Sequence, residues 1–458
     1  MSRRTLCLIF AALAISYLCY ERVDHNPYGR YFAEVLDQVD RNYVEKVDDQ
    51  RLFETAVDRL VHQLDPYSSF IGQSKAARFH ESLGQKFGGI GIEVSLDPDS
   101  KQLTVMSPLV GTPAYAAGVR TGDKILAVDG TSTTGFSLDD AVKLLRGRPG
   151  DPVVIRVLHD GQSAPTDYQI KRSEIKVDSV LGDTRLPDGS WNFLLPGRDR
   201  LGYLRITSFG DRTVGELTSA LGWLHEHDCQ GLIIDLRNDP GGLLDAAKEA
   251  CDLFLDKGDL IVSTRRRRAP EEQFRASGRG PYPRLPLVVL VNHYSASASE
   301  IMAACLQDHD RAAVVGERSW GKGSVQNVIP IEGGRSILTL TTASYWRPSG
   351  KNIHRRENSK PTDVWGVSPN PGCEVKMSED EFATWIEARR KHDVVAAKKR
   401  HSSEKPDMNR ADAKAPDAKA PDAAEAKPDG AAQPGDDPQS VDPQLKKAIE
   451  VLEAKIAE

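Results

Sequence analysis

The sequence is poor in the features that would place it in several large protein classes. Only six cysteines occur in 458 residues, and two of them, Cys7 and Cys19, fall in an N-terminal apolar segment with no lipoprotein-like box around either. The other four, Cys229, Cys251, Cys305 and Cys373, are widely and irregularly spaced. That spacing matches neither a zinc pattern nor a small disulfide scaffold, so buried thiols are the reading that remains. No metal or other cofactor is implied. Basic residues are not in excess either: Lys and Arg number 60 against 66 Asp and Glu, a formal charge of −6. This excludes the electrostatic footprint of a nucleic-acid binder. What is present, 39% hydrophobic and 28% charged residues, is ordinary globular composition. The length calls for two or three domains.

The long apolar run that opens the chain stands apart from everything after it. Arg3 and Arg4 precede an apolar stretch from Leu6 to about Tyr20, interrupted by Ser16, before the chain turns charged at Glu21. Positive residues followed by an apolar core are the pattern of an export segment. The run is short for a membrane span, and Ala14-Ile15-Ser16 is poorly placed as a cleavage site. The expectation is an uncleaved anchor holding an exported protein at a bacterial inner membrane, facing the periplasm, in preference to a cleaved signal that would release it there.

Periodicity divides the remainder. Phe32, Val35, Leu36 and Val39, then Leu52, Ala56, Leu60 and Leu64, recur at helical spacing and predict an N-terminal helical region over 26–82. Within it Pro66 marks a turn at 64–70. Over 83–172 short strands alternate with glycine turns and two short helices, a β-rich domain. From 173 to 395 apolar strands alternate with helices, and continuous runs such as Leu287-Val288-Val289-Leu290-Val291 suit strands buried on both faces. That region is therefore an α/β core of strand-turn-helix repeats. Residues 396–440 collapse into Ala, Pro, Asp and Lys and predict a disordered linker. Residues 441–458 restore order: Leu445, Ile449, Leu452 and Ile456 form one helical stripe, a docking face for an adaptor or a second copy.

Three segments in the α/β region carry chemistry. In Asn292-His293-Tyr294-Ser295-Ala296-Ser297-Ala298-Ser299-Glu300 a buried strand passes through small residues into a helix, which sets a serine oxygen beside unpaired N-terminal amides. The bland alternative is a helix cap, since Ser297 and Glu300 have capping-box spacing. Gly321-Lys322-Gly323 places a lysine between two glycines after an apolar strand. Such a lysine serves a serine as base only where its pKa falls from about 10.4 toward neutrality; otherwise it is a surface turn. Asp235-Leu236-Arg237-Asn238-Asp239-Pro240-Gly241-Gly242 ends another buried strand, and amides at such a turn can face a developing oxyanion.

Taken together, and with Phe87-Gly88-Gly89-Ile90-Gly91-Ile92, these segments resemble the C-terminal processing peptidases, PDZ-containing serine proteases of the Ser-Lys type, over about 32–372. The resemblance implies a crotonase-like α/β core with an inserted PDZ domain. It implies Ser297 as nucleophile, Lys322 as base and Gln326 as the residue orienting the amine. The oxyanion hole it implies uses the Ala298 amide with that of Gly241 or Gly242, a choice the sequence leaves open. Phe87 to Ile92 is similar to a PDZ carboxylate-binding loop, where backbone amides capture a chain terminus. Pro113 to Val119 and Gly122 to Gly130 resemble the same module.

The chain departs from the family at a polar insertion over 355–361 and at Asn370, where the family usually has aspartate. His293 reads as a loop residue, and Arg265 to Arg268 as a solvated turn. The implied function is a serine endopeptidase acting on polypeptides with exposed C-termini. The alternatives are a catalytically weak PDZ scaffold and an acyl-CoA-type enzyme on a related core. Ser297, Lys322 and Gln326 are all present, which favours the peptidase.

Overall fold

The computed structural model describes residues 27–394, apart from 160, 187, 279, 283 and 361, together with 438–458 and residues 5, 9, 10 and 12. Most of the N-terminal apolar segment and nearly all of the expected linker lie outside the described residues. No helix among those described is long and apolar enough to cross a membrane. The chain forms two compact units, 1–76 with 326–341, and 77–325 with 342–458.

In the smaller unit the helical spacing becomes two helices, Pro27–Asn42 and Asp49–His62. Asp48 caps the second by accepting from Arg51 N at 3.0 Å, which satisfies one of the amides a helix start leaves open. Phe32, Phe53 and Phe70 pack in series, tilted and then edge-to-face, with ring centroids 6.0 and 6.2 Å apart. The turn expected before Phe70 is built by Asp65, whose Oδ1 accepts from the amides of Tyr67 and Ser68. Strand Ser69–Ile71 then pairs antiparallel with Ile337–Thr339.

The larger unit begins with the β-rich domain. Strands Ile92–Leu96, Leu103–Pro108, Lys124–Val128, Pro152–Leu158 and Thr166–Lys171 lie in that order in an antiparallel sheet, with Thr131–Ser132 paired to the third. The alternation of Pro152–Leu158 explains its place: Val153, Ile155 and Val157 are buried, while Arg156 points outward and pairs with Asp167. Period-two burial of this kind is what a sheet with one solvated face demands. Helices Pro113–Ala117 and Leu138–Leu145 pack on the buried face through Ala114, Ala141 and Leu145.

The α/β core is a parallel sheet of Arg198–Ile206, Gly231–Asp235, Leu287–Val291 and Ala312–Gly316, edged by the antiparallel Val180–Leu181. Every residue of Gly231–Asp235, Leu287–Val291 and Ala312–Gly316 is buried, as both-face coverage requires. Helices Thr213–Glu226, Leu244–Asp252 and Ala298–Asp308 share one apolar cluster with this sheet.

The opposite face carries Leu201, Tyr203, Ile233, Val288, Leu290 and Val315. The C-terminal helix Pro443–Ala457 covers it with Leu445, Ala448, Ile449 and Leu452. The stripe expected to receive an adaptor or a second copy is thus consumed inside the chain. Removing apolar surface from water contributes about 25 cal/mol per Å², which makes that the favoured use of an amphipathic helix. A buried ionic cluster fastens its first turn, since Arg237 donates to both Asp235 and Asp442.

Sequence periodicity did not mark the antiparallel strands Leu260–Arg266 and Glu272–Arg275 or the longer Ser324–Ile331 and Ser336–Trp346. The arginine run sits at the turn between the first two of these strands. Arg265 pairs with Glu271 and stacks on Trp346, 3.9 Å from its ring centroid, the solvated turn expected. Cys229, Cys251, Cys305 and Cys373 are free thiols.

Candidate active site

Two neighbouring parallel strands end in turns that are stitched to each other. Asn238 N donates to Asn292 Oδ1 at 3.0 Å, and Asn292 Nδ2 returns a bond to Asn238 Oδ1 at 2.9 Å. Ser295 Oγ donates to Leu236 O, and Ala296 N donates to Asp239 O. These bonds hold Ser297 at the junction with φ 56° and ψ −113°. An ordinary N-cap has extended backbone, and a non-glycine residue held in this region costs about 1–3 kcal/mol. Such strain is characteristic of a serine displayed at a sharp strand-to-helix turn.

Across from it lies the Pro240-Gly241-Gly242 turn. A Cβ at Gly241 would stand 2.6 Å from Ala296 O, 2.7 Å from Ala298 N and 2.8 Å from Ser297 Cβ. Only glycine permits that approach. Gly242 is equally constrained, with a Cβ falling 2.0 Å from Phe209 O. The Gly241 amide donates to Asp239 Oδ1 at 2.7 Å. The bridge to Phe209 uses Gly241 O and Leu243 N, not the amide of Gly242.

Glu300 joins the serine turn to the lysine segment. Its carboxylate, buried in the first turn of the helix, accepts from Ser297 N at 2.9 Å, Gly321 N at 2.7 Å, Lys322 N at 2.8 Å and the Ser319 hydroxyl. Burial raises its pKa, against the lowering effect of those four donors. Trp320 N donates to Ser295 O, and the Tyr345 hydroxyl to Ser297 O. Capping-box spacing was the visible signal for Glu300, but it pointed to a local cap and not to a link across about twenty residues of chain.

The structure therefore brings together Ser297, Ala298, Gly241, Gly242 and the backbone of Lys322. Gln326 falls in the smaller unit, where its Nε2 donates to Thr341 Oγ1 at 3.0 Å. His293 is half exposed and paired with Glu317 at 2.9 Å, as expected of a loop residue. Asn370 is a brace: its Oδ1 accepts from Val314 N and Gln307 Nε2, both at 2.9 Å. Arg355, which opens the polar insertion, packs on the lysine turn, its N donating to Gly321 O and a Cβ on Gly321 standing only 2.8 Å from its own. No group of residues suited to a metal ion occurs among the described residues.

In the β-rich domain, Lys86–Gly89 pairs antiparallel with Ser173–Lys176. The carbonyls of the following loop are taken by the protein. Gly88 O accepts from Gly147 N, Ile90 O from Ala114 N, and Gly91 O from Leu109 N and the Thr112 hydroxyl. Gly91 has φ +80°, and a Cβ at Gly88 would stand 2.1 Å from Gly147 O. Ile92–Leu96, next in sequence, is an edge strand of its sheet. An edge beside a glycine loop is suited to strand addition by a peptide.

The family model for peptidase family S41 matches residues 200–370, and the PDZ domain model matches residues 104–158. The chain is 36% identical over 370 residues to the carboxy-terminal-processing protease of Bartonella bacilliformis, spanning 79% of this chain and 81% of that protein. It is 36% identical over 305 residues to the carboxyl-terminal-processing protease of Synechocystis sp., with 66% and 68% covered. Among solved structures it is similar to the photosystem II D1 C-terminal processing protease, at 30% identity and a TM-score of 0.40, covering 75% of this chain and 92% of that one.

Proposed function

The chain belongs to the carboxy-terminal-processing serine proteases of peptidase family S41, and from that premise we propose that it cuts polypeptides near exposed C-termini with a Ser297–Lys322 dyad supported by Gln326. The observation that carries the reading is the strained Ser297, held against Gly241 and tied through Glu300 to the amide of Lys322.

In the first step neutral Lys322 takes the proton from Ser297 Oγ as that oxygen bonds to the scissile carbonyl carbon. The carbonyl electron pair moves onto oxygen, where the Ala298 amide and a Pro-Gly-Gly amide stabilise it. Gly242 is the better donor, because the Gly241 amide is already given to Asp239. Collapse breaks the C–N bond, and the leaving amine takes the proton from the lysine. Water, with Lys322 again as base, then hydrolyses the acyl ester and restores the serine.

In this reading the PDZ domain holds the substrate's terminal carboxylate at Phe87 to Ile92. The core follows the crotonase-like plan, and residues 1–22 direct export toward the periplasm. An adaptor or second copy would need a surface other than the stripe buried in the core.

The test is incubation of the purified protein with an unstructured polypeptide bearing an apolar C-terminus, with every cut mapped. Ser297→Ala removes one oxygen, so cleavage should fall by more than about a thousandfold while the melting temperature stays near wild type. Lys322→Arg should be as inactive as Lys322→Ala, because guanidinium cannot accept the serine proton. Substantial turnover by either Ser297→Ala or Lys322→Arg would defeat the dyad.

A further inference from the structure

The oxyanion turn contains an acid that the dyad does not use. Asp239 is fully buried, and both ends of the residue act as clamps. Its main-chain oxygen accepts from Ala296 N and from the Ser299 hydroxyl, each at 3.0 Å, which fixes it to the serine turn and the helix behind it. Its side-chain Oδ1 accepts from Gly241 N at 2.7 Å, and Gly241 in turn touches Ser297. The other carboxyl oxygen, Oδ2, is buried with no hydrogen-bond partner among the described residues.

A carboxylate in this position has lost its hydration in return for one amide donor and the nearby Ser299 hydroxyl, whose proton goes to the main-chain oxygen, a poor exchange for a full charge. It would also stand beside the place where the peptide oxygen becomes negative. Like charges in a dry site repel strongly, so an ionised Asp239 opposes the step that the turn is built to assist. The charged groups on the segments packed around it are committed elsewhere. The carboxylate of Glu300 serves Ser297, Ser319, Gly321 and Lys322. The guanidinium of Arg237 serves Asp235 and Asp442. Burial accordingly pushes the Asp239 carboxyl well above the usual carboxylate range.

We propose that Asp239 is a positioning residue that works as a neutral carboxyl group, holding the Gly241-Gly242 turn in register with Ser297 and Ala298, and that its ionisation weakens the oxyanion hole. The proposal rests on the Ser297 reading and adds a second titration to it. Lys322 must lose its proton to act, so activity rises with pH through the lysine. Ionisation of Asp239 opposes that rise over the range in which its carboxyl titrates.

Stability gives an independent sign. The folded state keeps the Asp239 proton above the pH at which the unfolded chain has lost it. Between those two pKa values the native state therefore binds more protons, and stability falls as pH rises.

Two measurements test this on the full chain. In pH profiles of kcat and KM, Asp239→Asn keeps the acceptor for Gly241 N and cannot ionise, so it should raise activity on the alkaline side relative to wild type. Asp239→Ala should lose on the order of a hundredfold in kcat, with KM within about twofold, because the turn loses its anchor. Superimposable wild-type and Asp239→Asn profiles would reject the switch. The second measurement needs no catalysis: melting temperatures of Ser297→Ala and Ser297→Ala/Asp239→Asn from pH 4 upward. The single variant should lose stability relative to the double as pH rises. A constant difference would overturn the neutral carboxyl even if the dyad stands, whereas an inactive protein showing the divergence would overturn only the dyad.

Discussion

The molecule contains two glycine turns to which the proposed function assigns substrate-facing backbone amides, and they are held in different ways. The Pro240-Gly241-Gly242 turn is fixed by side chains as well as backbone, with Asn238, Asp239, Asn292 and Ser299 all contributing bonds. The 88–91 loop of the PDZ domain is fixed through its carbonyls by backbone amides and a single hydroxyl, that of Thr112. Stabilising a transient oxyanion needs donors that do not reorganise during the reaction. Capturing a carboxylate that is already charged asks only for amides within reach.

The largest effect should come from the turn with the least room. Gly241→Ala puts a Cβ within 2.8 Å of the Ser297 side chain and the backbone on either side of it, and its φ of +94° strains any side chain besides. Backbone cannot yield as a side-chain tip does. Cleavage should drop by at least about a hundredfold, read as kcat on a short peptide. A Gly241→Ala enzyme with near wild-type kcat would show that this turn does not face the reaction.

Next comes the buried acid that joins the serine and lysine segments. Glu300→Gln replaces one accepting oxygen with an NH₂ group and sets it against amides that also donate. Leaving buried donors unsatisfied costs about 1–3 kcal/mol each, so the variant should lose about 3 kcal/mol in denaturant unfolding as well as most of its activity. If Glu300 were only a helix cap, the loss would stay near 1 kcal/mol and activity would survive.

How far the sequence discloses all this depends on how local each signal is. The run Leu287–Val291 and the glycines after Asp235 announce buried strands and turns within a few residues, and the strands and helices lie where those patterns put them. Strand Ser336–Trp346 mixes buried and half-buried threonines and serines, so no clean period marks it. Glu300 looks like a cap because its Ser297 partner is three residues away; Ser319, Gly321 and Lys322 reach it only through the fold. Asp239 is legible as a turn residue, but its buried, unpartnered oxygen is a property of packing alone. The C-terminal stripe was plain, whereas its destination was not, since an apolar face shows that it will be covered and not by what.

The smallest effect expected is on the docking loop, and it separates the two turns most sharply. A Cβ at Gly89 would crowd the Phe87 ring, at 3.1 Å, a side chain able to shift, and meet the Leu145 carbonyl at an ordinary 3.9 Å, whereas one at Gly88 would strike the Gly147 carbonyl at 2.1 Å. Gly88→Ala should therefore disturb the domain itself, whereas Gly89→Glu, though its glycine is buried, displaces a ring and not backbone and sets a charged side chain in the approach of a peptide terminus. Converting the substrate's C-terminal carboxylate to an amide removes a charge-assisted bond worth about 1.5–3 kcal/mol, a loss of roughly ten- to a hundredfold in kcat/KM. Wild-type enzyme should show that preference for the free acid. Gly89→Glu should abolish it by lowering free-acid cleavage to the amide level, with the amidated substrate almost unaffected. Short peptides that cannot reach both sites should be cut equally by the two enzymes. If free-acid and amidated substrates are cut alike by wild type, the loop at 88–91 is a structural turn, and the proposed substrate-facing amides reduce to those beside Ser297.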